Sequence, residues 1–259
     1  MPFSSAEIAA WVGGFLWPLT RVSALMIAAP IFSSRTIPRR IRLMIALALT
    51  WAVLPLIPSM PIVEPLSPDG LLVTAQQALI GLSMGFILRL VFGALELGGQ
   101  VIAMQVGLSF ASLADPQNGA QSPLLSQLYN LLGTLIFLAL NGHLLLIQLL
   151  VDSFTALPVA PSGADRDWLW ALVIWGNQMF AGAVLVALPA IASLLVVNLA
   201  FGVMVRAAPQ LNIFAVGFPI TLVLGLLIIL YSLPTLLYQL EHLFAEAFRS
   251  IGQLAGGSG

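Results

Sequence analysis

Apolar residues run along this chain in long blocks separated by short polar interruptions. The blocks fall at about 8–32, 42–57, 72–110, 124–151, 168–205 and 212–232, and runs of this kind predict membrane helices. They are not six uniform spans: the second is short for a full crossing, and the third and fifth are too long for a single straight one. From Thr74 to Phe110 only Arg89 and Glu96 carry charge. As a helix that run would reach about 55 Å, against a hydrocarbon core of about 30 Å. The stretch Gln105 to Pro123, QVGLSFASLADPQNGAQSP, is polar and rich in small residues. Either the helix breaks inside the membrane, or it carries this stretch beyond an ordinary interface. Both outcomes require protein or water around the non-helical backbone. Beyond 232, Leu236, Leu237, Leu240, Leu243, Phe244, Phe248 and Ile251 recur at helical spacing, opposite Glu241, Glu246 and Arg249. That pattern predicts an amphipathic helix over 234–252, lying on lipid or packed on protein.

Turn residues and charges divide the blocks. The first connection, SSRTIPRRIR, holds Arg35, Arg39, Arg40 and Arg42, whereas the next, IPSMPIVEPLSPDG, has Glu64 and Asp69 and no basic residue. The positive-inside rule puts the first on the cytoplasmic side and the second outside. The arginines read as an orientation signal, with docking onto acidic partners as the alternative. Proline-rich loops at 55–68 and 158–161 are connectors. Asp165, Arg166 and Asp167 start the fifth block, followed by Trp168 and Trp170 as interfacial residues. Pro189 is expected to kink that block. The short polar turn after Arg206, followed by Gly217-Phe218-Pro219, predicts a stiff, bent connection.

Composition narrows the function classes. The 259 residues are 60% hydrophobic and 7% charged, with a formal charge of −1 and a mean hydropathy of +1.05. Soluble domains carry about 25% charged residues, so the chain is read as an all-α integral membrane protein. Nine arginines, no lysine and a net charge near zero leave no basic surface for nucleic acid. Without cysteine there is neither a disulfide framework nor a thiolate metal site. The N-terminus lacks a basic n-region, which predicts no cleaved signal peptide. The closing Gly256-Gly257-Ser258-Gly259 reads as a cloning scar. No nucleophile-elbow or phosphate-loop motif occurs, and His143 and His242 do not stand in a zinc-ligand spacing. No catalytic residue, metal or cofactor is therefore predicted. His143 is expected to be a hydrogen-bonded structural histidine rather than a proton relay.

The third block carries a regular feature. Gly81, Gly85, Arg89 and Gly93 recur every four residues and form one slowly drifting ridge, where small residues allow close helix approach. Arg89 is accordingly expected in a protein interface, since an unpaired charge in lipid costs several kcal/mol. Glu96 lies seven residues on, about 10 Å along the axis, so each is expected to meet a charge on another helix or chain. Arg21, midway along the first block, poses the same question. An ion pathway is one reading; fixed salt bridges within an assembly are the favoured one. Arg21, Gly81, Gly85, Arg89, Glu96 and Arg206 are thus candidate contacts between helices or subunits.

Three strings together resemble one family: QVGLSFASLADP (105–116), NGH (141–143) and APQLNIFAVGFP (208–219), with WPLTRVSALMIAAPIFSSRTIP (17–38) in agreement. They are similar to the FliR family of the bacterial type III export gate, across about 8–252, and more to its flagellar than to its virulence (SctT-like) branch. The resemblance implies a non-enzymatic pore subunit in the bacterial inner membrane at the flagellar basal body. Its implied partners are FliP-like and FliQ-like subunits in one complex, with FlhB-like and FlhA-like gate proteins and unfolded flagellar export substrates. It also implies long kinked helices and helical hairpins, a FliP-like part over about 1–205 and a FliQ-like part over 206–252. The loop after the third block would plug the closed pore through Gly107, Leu108, Ser109, Phe110, Ala111 and Ser112, continuing to Asp115 and Pro116. A small-solute transporter with broken helices and a scaffold that lines no pore are the rival classes.

Overall fold

The computed structural model of the chain describes residues 5–34, 37–58, 60–61, 63–108, 124–161, 166–207 and 213–256. The described elements are helical: α1 (Ser5–Ala28), α2 (Arg39–Val53) closed by a 3-10 turn (Leu54–Leu56), α3 (Pro68–Val106), α4 (Leu124–Ala139), α5 (Gly142–Ala156), α6 (Arg166–Trp175), α7 (Asn177–Ala207) and α8 (Ile213–Gly256). This is an all-α membrane protein; among the described residues four helices are long and apolar enough to cross a bilayer, with a fifth candidate in the bent pair α4–α5.

α3 settles the first question of length. It starts on Ser67, whose Oγ accepts the Gly70 N–H at 3.1 Å, with Pro68 and Asp69 filling the first turn. These are the residue types that satisfy and charge-match a helix N-terminus. The helix then runs unbroken for 39 residues, about 58 Å. Tilting by about 40°, the upper end of the usual range, still leaves about 45 Å along the membrane normal. α3 is therefore not a broken transporter helix; it is one rod longer than a bilayer core.

Three other blocks depart from expectation. The fourth breaks into α4 and α5, bent by 66°, because Asn141 takes a left-handed conformation at φ 55°, which asparagine tolerates better than other side chains. The fifth is interrupted at Gly176 and then runs through Pro189 as α7. The 212–232 block and the amphipathic segment are a single 44-residue helix, α8, with Pro219 and Pro234 inside it. Leu236, Leu240, Leu243, Phe244 and Ile251 are buried, so the C-terminal stripe packs on protein. Trp168 is buried as well rather than interfacial, and its Nε1 donates to the Leu254 carbonyl at 3.0 Å near the end of α8. Trp170 is exposed.

α7 and α8 form an antiparallel hairpin: Gly182, near the start of α7, lies against Leu243, far along α8. Residues 206–252 therefore take in one arm of this hairpin and not both. The chain divides into two compact units interleaved in sequence. Met1–Leu90, Asn141–Asn177 and Phe244–Gly259 make one; Val91–Leu140 and Gln178–Leu243 make the other. In the second unit, α3 meets α4 closely at Gly99 against Ser126, and the Ser126 Oγ donates to the Glu96 carbonyl at 2.9 Å. A Phe92–Phe137 edge-to-face pair with centroids 6.4 Å apart continues that contact.

Candidate functional site

In the first unit the polar centre is Arg21, which is fully buried. Its Nε donates to Gln77 Oε1 at 2.8 Å. One terminal nitrogen donates to the Ser153 carbonyl at 2.7 Å and to its hydroxyl at 3.0 Å. The other donates to the Leu157 carbonyl at 2.7 Å, and the guanidinium carbon lies 4.1 Å from the centre of the Phe154 ring. The salt bridge expected for this residue is replaced by something else. Ser153 and Leu157 belong to the last turn and C-cap of α5, where the helix dipole is negative; the Ser153 carbonyl also receives the Leu157 N–H, and the Leu157 carbonyl lies past the last helical bond. The charge is compensated by a helix end and an aromatic face, and α1, α3 and α5 are tied together at one point.

The glycine ridge explains how α3 gets close enough. A Cβ at Gly81 would collide with the Arg21 carbonyl and lie 2.9 Å from the Ala24 Cβ; one at Gly85 would come within 2.5 Å of the Ala28 Cβ. The ridge does not extend further. Residues four apart turn about 40° per step, so the face packed on α1 is Gln77-Gly81-Gly85, and Arg89 is exposed. Gly93 instead faces Met179 of α7 within the second unit. Glu96 and Arg206 also have exposed side chains, Arg206 in the last turn of α7. The structure therefore assembles Arg21, Gly81 and Gly85 and leaves Arg89, Glu96 and Arg206 on the outside of the chain. Gln77, Ser153 and Phe154 were missed. The available signal was an amide inside an apolar run, four residues before the first glycine.

His143 departs from expectation, since its Nδ1 is buried without a hydrogen-bond partner.

At the far end of α3, Gly107 has φ 90°. Its N–H donates to the Met104 carbonyl at 3.1 Å, and the Leu108 N–H donates to the Ala103 carbonyl at 3.0 Å. These paired bonds are a Schellman stop, for which a glycine at positive φ is the preferred residue. Gly107 is thus a fixed cap rather than a point of backbone freedom. Ser109, Phe110, Ala111, Ser112, Asp115 and Pro116 lie outside the described residues.

Residues 12–247 match the family described as bacterial export proteins, family 1. The chain belongs to the FliR family of bacterial export proteins. It is 39% identical over 251 residues to the flagellar biosynthetic protein FliR of Escherichia coli (strain K12), covering 97% of this chain and 96% of that protein. The FliR of Pectobacterium carotovorum subsp. carotovorum is 38% identical, covering 96% and 95%. The FliR of Bacillus subtilis (strain 168) is 31% identical, covering 94% and 96%. A FliR-family chain thus carries a buried arginine junction in one unit and a glycine-capped 39-residue helix leading into residues 109–123.

Proposed function

We propose that the chain is a pore subunit of the flagellar type III protein export gate in the bacterial inner membrane, at the flagellar basal body, passing unfolded flagellar proteins. The observation that carries this reading is similarity to flagellar FliR proteins along nearly the whole chain. The flagellar names of these relatives favour this branch over virulence secretion. α3 supports the reading, because a rod of about 58 Å needs surroundings other than a plain bilayer. In this reading FliP-like and FliQ-like subunits supply those surroundings, with FlhB-like and FlhA-like proteins alongside. The division into a FliP-like part and a FliQ-like part from about residue 206 belongs to the same proposal. Exposed Arg89, Glu96 and Arg206 are proposed contacts with partner chains.

The loop after the Gly107 cap is proposed to plug the resting pore, with Leu108 and Phe110 forming its apolar constriction. Deleting residues 109–120 from the chain co-expressed with its partners tests this. Cells should begin leaking ions and small solutes; a scaffold or a solute transporter should not start to leak. Recovery of the full-length chain as a monodisperse monomer that binds a solute, with no FliP-like or FliQ-like partner, would overturn the wider proposal.

A further inference from the structure

We propose that the cavity between α1 and α2 binds the phosphate headgroup of an anionic phospholipid. The cavity, about 320 Å³, is lined on its polar side by Ser23, Arg39 and Arg42 and on its apolar side by Met26, Ile27, Leu43 and Ala46. Arg42 spends one terminal nitrogen on the Ser34 carbonyl, at 3.2 Å, while its Nε is buried with no hydrogen-bond partner. The guanidinium groups of Arg39 and Arg42, on the polar side of the cavity, are the donors that match phosphate oxygens.

The electrostatics of α2 point to the same ligand. Its first turn contains no acidic residue, and Pro38 at the N-cap supplies no side-chain cap. Arg39, Arg40 and Arg42 therefore stand at the positive end of the helix dipole, where anions are favoured and cations are not. An incoming anion relieves that clash.

The apolar walls decide which anion. A free phosphate has no use for Met26, Leu43 or Ala46, whereas a lipid places its glycerol and first methylenes there. Ile27, Leu43 and Met44 are more than half exposed beside the cavity, giving the acyl chains a surface to follow. The volume is at the lower end of the range for ligand sites, about 300–1,000 Å³, so it takes a headgroup and not a whole lipid. The positive-inside reading puts this end of α2 at the cytoplasmic leaflet, whose surface is negative.

The test is native mass spectrometry on the purified full-length chain, delipidated and then titrated with dioleoyl phosphatidylglycerol, dioleoyl phosphatidylcholine or glycerol 3-phosphate. Phosphatidylglycerol should bind at about one per chain in preference to phosphatidylcholine, by about thirtyfold if each cavity arginine contributes its usual share. Arg39→Gln/Arg42→Gln should abolish that preference with helicity by circular dichroism unchanged. Arg40→Gln, in the same turn but not lining the cavity, should cost no more than the roughly fivefold of any nearby surface charge. Leu43→Gln should weaken lipid binding without touching the charge. The proposal fails if the two lipids bind equally, if Arg40→Gln is as damaging as the Arg39→Gln/Arg42→Gln pair, or if glycerol 3-phosphate displaces the lipid at equal concentration.

Discussion

Replacing Arg21 with methionine keeps most of the side-chain volume and removes every guanidinium donor from the α1–α3–α5 junction. The four hydrogen bonds do not weigh equally. The Ser153 carbonyl still receives the Leu157 N–H at 3.0 Å, so it is not orphaned. Gln77 Oε1 and the Leu157 carbonyl lose the bonds they receive from Arg21. A buried acceptor left unmade costs about 1–3 kcal/mol, which puts the gross loss at about 2–6 kcal/mol. Against this stands the desolvation of the guanidinium, several kcal/mol in an apolar interior and no longer incurred. Because the helix end and the Phe154 ring already compensate the charge, we expect a net loss of about 2 kcal/mol, or about 4–8 °C in Tm for a chain of this length. Arg21→Lys keeps the charge but loses the fork and the stacking, and should fall between the two. The assay is unfolding of the purified chain in detergent, followed by circular dichroism, for wild type, Arg21→Met, Gln77→Leu and the double variant. The double variant should be less damaging than the sum of the singles by about 1 kcal/mol, because the two residues share a bond. Additivity within about 0.5 kcal/mol, or an Arg21→Met chain more stable than wild type, would refute the junction as described.

Other substitutions address single contacts. Gly85→Val would drive a side chain into Ala28 and the Ala29 N–H and should cost about 1–3 kcal/mol or more in the same unfolding assay; Arg89→Gln, one turn on and exposed, should cost less than about 0.5 kcal/mol. Gly107→Ala places a Cβ at positive φ and should cost about 1–2 kcal/mol, with faster amide hydrogen exchange at Leu108 as the local readout. At Asn141, glycine should be nearly neutral and valine should destabilise by about 1–2 kcal/mol, measurable as a difference in Tm. Arg89→Ala combined with Glu96→Ala should leave the isolated chain's Tm within a few degrees but lower recovery of partner subunits on co-purification; unchanged recovery would remove these two residues from the proposed interface.

Composition and periodicity made the class legible, because a chain with so few charges has few places to put polar backbone except inside helices. The boundaries were less legible where one residue decides them. Asn141 breaks a block that hydropathy reads as continuous, since hydropathy averages over a window and a left-handed residue acts alone. The 212–232 block and the amphipathic stretch over 234–252 read as two elements and are one: α8 passes through Pro234, whose missing N–H removes only one backbone bond from a 44-residue helix. The Gly81–Gly85 spacing pointed correctly to a close helix approach. Extending it to Arg89 and Gly93 gave too little weight to the drift, which at about 40° for every step of four carries them off the α1 face. Arg21 was visible as an odd charge in an apolar run, but its partners were not, since two of them are main-chain carbonyls that no side-chain pattern encodes.

Arg21 sits in α1, and the carbonyl it needs at Leu157 comes 136 residues later. At about 5–20 residues per second that is a wait of roughly 7–27 seconds. Throughout that interval α1 holds a cation whose final acceptors have not been synthesised, with Gln77 arriving first as a partial substitute. α1 therefore cannot be finished until α5 closes on it. A nascent chain arrested before residue 157 should expose Arg21 to the quality-control machinery of the membrane, while one long enough for α5 to have left the ribosome should not.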